Sequence, residues 1–96
     1  MKVSELEGAE LDYWVNETLG FSRVNVPSYS IDWNQAGPII ERETIQLNPG
    51  NAFPNCTVWW AKHPAHGWSI ISSGKTPLIA AMRAFVTSKF GEEIGE

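Results

Sequence analysis

The stretch Ser69-Ile-Ile-Ser-Ser-Gly74-Lys75-Thr76 gathers residue types suited to holding a phosphate. A phosphate-binding loop sets glycine, lysine and a hydroxyl residue at the mouth of a helix, where backbone N–H groups and the ammonium cradle the anion. Here Ser69 stands where that loop has its first glycine, and Pro77 removes an N–H that would face the phosphate. No strand follows to complete a parallel unit or supply a magnesium carboxylate, so nucleotide hydrolysis is not expected. A small anion held by Lys75, Ser72 and Ser73 at the helix start is the weaker reading, set against a plain helix cap.

His63 and His66 flank Pro64 in an expected turn, and Cys56 lies seven residues before the first of them. A structural zinc site wants four ligands, and no fourth is evident, so no metal is expected and both histidines read as exposed. No nucleophile elbow occurs, and no acid lies near the histidines in sequence. Asp32, Glu41 and Glu43 read as the solvated face of a helix. The expectation is a protein without catalytic residues and without a cofactor.

The five tryptophans, Trp14, Trp33, Trp59, Trp60 and Trp68, are the anomaly. A buried indole N–H wants a partner, and on consecutive strand positions Trp59 and Trp60 must point to opposite faces. One alternative is that the aromatics fill both layers of a sandwich. The other is that some lie on the surface near Lys62, His66 and Lys75, where they suit stacking on a base or anchoring a protein. The candidate binding residues are therefore Trp33, Trp59, Trp60, Lys62, His66, Trp68 and Lys75.

These residues need a scaffold, and the clearest element is 75–91. Thr76 is an N-cap, Pro77 takes the first helical position, and Gly91 ends the helix. Leu78, Ile79, Met82, Phe85, Val86 and Phe90 recur at helical spacing, a stripe broad enough to require a sheet as cover. A first helix is expected from near Ser4 or Gly8 to Leu19, with Ser4 and Glu7 at capping-box spacing. Leu11, Trp14, Val15 and Leu19 would face inward, with Glu10, Asp12 and Glu17 outside. Residues 21–30 read as a connector with a short edge strand at Val24 and Val26. A second helix capped by Ser30 or Asp32 would carry Trp33, Ala36, Ile39 and Ile40 inward, broken or kinked at Gly37-Pro38. Strands are expected at 44–47, 56–62 and 68–72, with turns at 48–51 and 63–67. Both faces of the central strand carry large apolar groups, which predicts helices on both sides.

The ninety-six residues make one domain, 1–96. No run approaches the ~20 apolar residues of a membrane span. The acidic start lacks the apolar core of a signal peptide. The single Cys56 fits a reducing compartment, so a soluble cytoplasmic protein is expected. Charge is segregated: residues 1–43 hold eight acids against three bases, 44–91 hold four bases and no acid, and three more acids follow. Four cations are few for nucleic-acid binding.

The blocks MKVSELEGAELDYWV, YSIDWNQAGPIIERE and TPLIAAMRAFVTSKFG, spaced in that order, resemble the small phage-encoded NinX-like family, related to phage alpha-beta-alpha sandwich proteins. The resemblance implies a phage or prophage accessory protein of uncharacterised activity in the bacterial cytoplasm. The implied fold has helices on both sides of a small sheet; with the strands read above, the class expected is α+β, a small mostly antiparallel sheet of about three strands covered by helices, alpha-beta-alpha sandwich-like. It points to Tyr29, Ser30, Asp32, Trp33, Pro38 and Glu41, and to Thr76, Pro77 and Arg83, as the family's recurrent residues. The family carries an acid before the Thr-Pro cap, where this chain has Lys75. The function expected is non-catalytic binding of a host protein; the alternative is a nucleotide or nucleic-acid ligand on the basic, tryptophan-rich half, and an enzyme stands third.

Overall fold

The computed structural model describes residues 2–21, 25–53, 56–65 and 68–94, with side chains left out at 51–53, 56–57, 65 and 68–69. A 3-10 turn, Val3–Glu5, leads into α1 (Gly8–Leu19) and α2 (Trp33–Glu43). Then come β1 (Gln46–Phe53), β2 (Cys56–Ala65), β3 (Trp68–Gly74) and α3 (Pro77–Phe90). The strands form one antiparallel sheet in the order β1-β2-β3. The α+β class and the three-stranded antiparallel sheet are those expected.

Helix α3 organises the core. Thr76 Oγ1 accepts the Ile79 N–H at 3.1 Å, Pro77 opens the helix, and Leu78, Ala80, Ala81, Met82, Ala84, Phe85 and Val86 are all buried. One side of α3 lies across the sheet and the other receives α1 and α2. Leu11 and Val15 supply the α1 contact, and Trp14 meets Phe90 edge-on with ring centroids 5.5 Å apart.

The helices gather on one face of the sheet, which corrects the expectation of helices on both. Along β2, Ala61 and His63 are buried and Trp59 packs against the core, while Trp60, Lys62 and Pro64 are exposed. The large residues on the second face had implied a cover, yet among the described residues no helix supplies one.

Other boundaries move for identifiable reasons. The expected turn at 48–51 lies inside β1, which tolerates Pro49 because the missing N–H points off the sheet edge. The expected turn residues His63 and Pro64 extend β2, while 66 and 67 lie outside the described residues, as does Val24. Helix α2 runs through Pro38 without interruption. Both Pro38 and Asn34, whose carbonyl loses its bond, are exposed to water. The Ser4–Glu7 capping box does not form; the Lys2 N–H instead meets the Glu5 carboxylate at 3.3 Å, and α1 starts after Glu7 without a side-chain cap.

Asp12, expected outside, is buried, and its Oδ1 accepts the Ser30 N–H at 2.8 Å. One turn later Asn16 Oδ1 accepts the Tyr29 hydroxyl at 3.2 Å. Burial, and secondarily the Asp12 charge, push the Tyr29 phenol above its ordinary value. These bonds seat the 29–30 backbone on α1, so that Asp32 can cap α2 by accepting the Asn34 N–H at 2.9 Å. The chain ends fold back as a pair, with the Val3 N–H on the Glu92 carbonyl at 2.9 Å and Ile94 buried.

Candidate functional site

The open face follows from strand alternation. Side chains on one face of β2 pair across the register with like-facing neighbours, giving one row of Asn48, Trp60 and Ser73 and the next of Gln46, Lys62 and Ile71. Neither row contains a carboxylate. Trp60 is 45% exposed and Ile71 61%, large values for apolar groups that sit diagonally on neighbouring strands. The Trp60 indole lies over Gly50: a Cβ there would collide with the ring and stand 2.9 Å from the Val58 carbonyl. Glycine thus gives the indole a flat seat on the sheet.

A groove of about 310 Å³ runs beside this face, lined by Trp60 and Ile71, by Arg83 and Thr87 of α3, and by Lys2 and Glu93 of the paired chain ends. Arg83 holds it together. Its Nε donates to the Leu6 carbonyl and its Nη1 to the Ser73 carbonyl, each at 2.8 Å, and Glu7 lies 3.9 Å away. Burial lowers the guanidinium's affinity for its proton and Glu7 opposes that; arginine remains charged throughout.

A second polar pair is buried away from the groove. His63 Nε2 lies 2.9 Å from Glu43 Oε1, joining the sheet to the last turn of α2. Burial raises the Glu43 carboxyl, but hydrogen bonds and charge from His63 and Arg42 outweigh it and hold the group below 4.5. A carboxylate accepts, so Nε2 donates to Glu43, while the buried Nδ1 has no hydrogen-bond partner among the described residues. Because Glu43 binds its proton more weakly folded than unfolded, the stability it contributes is present above about pH 4.5 and is lost as pH falls through the folded-state value. Urea melts between pH 6 and pH 3 should show a shallower acid loss for Glu43→Gln than for the wild type; parallel curves would remove Glu43 as the titrating group.

The seven candidate residues separate. Trp60 and Lys62 share the open face. Trp59 faces the core, and Trp33, expected inward, opens α2 at 53% exposure, outside the groove lining. Lys75 is exposed past the end of β3, its ammonium 3.9 Å from Glu7. His66 and the Trp68 side chain lie outside the described residues. Sequence reasoning missed Ile71, whose face was fixed by its alternation with Ile70. It also missed the His63–Glu43 pair, made by residues twenty positions apart.

Most recurrent residues of the suspected family now have structural work. Tyr29 and Ser30 tie to α1, Asp32 and Thr76 cap helices, Pro77 opens α3, and Arg83 bridges Leu6 to β3. Trp33, Pro38 and Glu41 are exposed.

Among the described residues this is an α+β chain with one sheet face uncovered and its Lys2–Val3 and Glu92–Glu93 segments paired. The family model described as Bacteriophage P22, NinX, matches residues 16–89, and the chain belongs to that family. No curated protein matches the chain.

Proposed function

We propose that this chain is a non-catalytic accessory factor of the phage that binds a protein of the host on the open sheet face, through Trp60, Ile71 and Lys62. The observation that carries the reading is the exposed Trp60–Ile71 pair on a face without carboxylates, beside a groove. Tryptophan seated on a rigid strand is a frequent hot-spot residue because it buries much area with little loss of side-chain freedom. Support for a non-catalytic role comes from the groove lining, where Arg83 is engaged by backbone carbonyls and no described histidine accompanies Ser4, Ser72 and Ser73 to activate them. The compartment we assign is the bacterial cytoplasm, on the strength of a lone Cys56. No described helix is long and apolar enough to cross a membrane.

A nucleotide or nucleic acid is the second reading, favoured by the acid-free run 44–91. Against it, the cations of that run are scattered: Lys75 leans to Glu7, Arg83 to two carbonyls, and Lys89 to the Thr18 carbonyl. Lys62 is the cation of that run on the open face.

The test is capture from host lysate on the immobilised chain, quantified against variants. Trp60→Ala and Ile71→Ser should each reduce recovery of the partner at least about tenfold, the effect of losing ~1.4 kcal/mol, with Trp33→Ala unchanged. Equal recovery on Trp60→Ala would overturn the reading.

A further inference from the structure

We infer that the partner segment is an extended strand, apolar and acidic on one face, that adds to the outer edge of β3; this rests on the open face being the docking surface. The sheet has two edges, and pairing parity decides what each presents. The Ile45 N–H is bonded to the Ile40 carbonyl at 3.0 Å, so its backbone groups point away from β2, and by alternation those of Leu47 and Pro49 do likewise, before the register shifts beyond Gly50. Pro49 has that parity, so the β1 edge carries a proline where a donor would stand.

The same parity turns Ser73 and Ile71 outward from β3. The Ser73 carbonyl confirms it by accepting from Arg83. At Ile71 no described residue takes either backbone group. A donor and an acceptor on one residue of a sheet edge are what an added extended polypeptide pairs with, and a helix, whose backbone groups bond within itself, does not.

Charge then selects the side chains. Outward-facing residues of an added strand would lie over Ile71 and within reach of Lys62, on a sheet with no carboxylate, which favours apolar and acidic residues there. The alternate residues would face the groove, where Lys2 and Arg83 balance Glu92 and Glu93 and charge sets no preference. A second copy of the chain fits worse, because two-fold pairing at β3 sets two Lys62-bearing, acid-free faces side by side.

A random dodecapeptide library selected on the immobilised full chain, followed by titration of the enriched peptide, tests this. The expected peptides alternate, with apolar and acidic residues on one face. They slow exchange of the Ile71 amide at least about tenfold and lose at least about tenfold in affinity on N-methylation of one edge-facing amide, about one hydrogen bond's worth. Trp60 fluorescence, isolated by difference from Trp60→Phe, reports the face itself. A Trp60 response without Ile71 protection overturns strand addition and leaves the docking face intact. No enrichment and no response overturns both. Enrichment of helical peptides, a Trp60 response to an oligonucleotide alone, or a dimer with Ile71 already protected also overturns strand addition.

Discussion

Arg83→Met should lower the unfolding free energy by about 3 kcal/mol, the sum of leaving two carbonyls short of a donor at about 1–3 kcal/mol each, less what methionine packing returns. Methionine keeps the length and apolar stem of the side chain and removes all of its donors. The guanidinium is the piece that joins the Leu6 segment to the end of β3, with both bonds at 2.8 Å and the side chain only 12% exposed. For a domain of this size the midpoint of thermal unfolding should fall by roughly 10–20 °C. Arg83→Lys should recover only part of the loss, since one ammonium cannot repeat the planar fork that reaches both carbonyls. Amide exchange should quicken at Val3, whose N–H is otherwise held by Glu92. A Met variant within 0.5 kcal/mol of the wild type would mean that the terminal segment is held by its apolar contacts alone.

Legibility followed the range of the interaction. The ends of α3 were written locally, as Thr76, Pro77 and Gly91, and the structure places them there. So was the opposition of Trp59 and Trp60, since alternation is built into a strand. What stayed hidden depended on partners far away in the chain. Asp12 looks like a solvated helix residue until the 29–30 backbone arrives to use its carboxylate. His63 looks like a turn residue until Glu43, on another element, reaches it. Asn48-Pro49-Gly50 spells a turn, and tertiary placement overrides it: the proline sits on an edge and the glycine under an indole. The open face was misjudged because large apolar residues on two sides of a strand say that both sides meet something, without saying whether it belongs to the same chain.

The candidate site is composite in the same sense. Trp60 and Lys62 were found from residue type and Arg83 was pointed to by the family resemblance, while Ile71 and the role of Arg83 enter through register and packing. Arg83 shows how one side chain can serve both: it fixes the groove's shape and occupies the Ser73 carbonyl, while Ile71 stays an outward-facing position where the edge is open.

Gly74→Ala carries the second large effect, an expected loss of about 1–3 kcal/mol from overpacking. A Cβ at this position would stand 2.7 Å from the Ala80 backbone nitrogen and 2.7 Å from Ile79 Cγ2. A flexible side chain could swing aside, but the backbone of a helix held by its Thr76 cap cannot, so the first turn of α3 must lift from the sheet. Urea denaturation should show the lower midpoint, and the Ile79 methyl resonances should shift more than those of Met82, deeper along the helix. The substitution also decides why glycine precedes Lys75-Thr76. If it serves close approach of strand and helix, Gly74→Ala destabilises the chain whether or not phosphate is present. If it serves an anion, stability should change little while added phosphate protects the wild type and not the variant. The packing distances favour the first outcome, which makes the likeness to a phosphate-binding loop a by-product of how tightly α3 seats on β3.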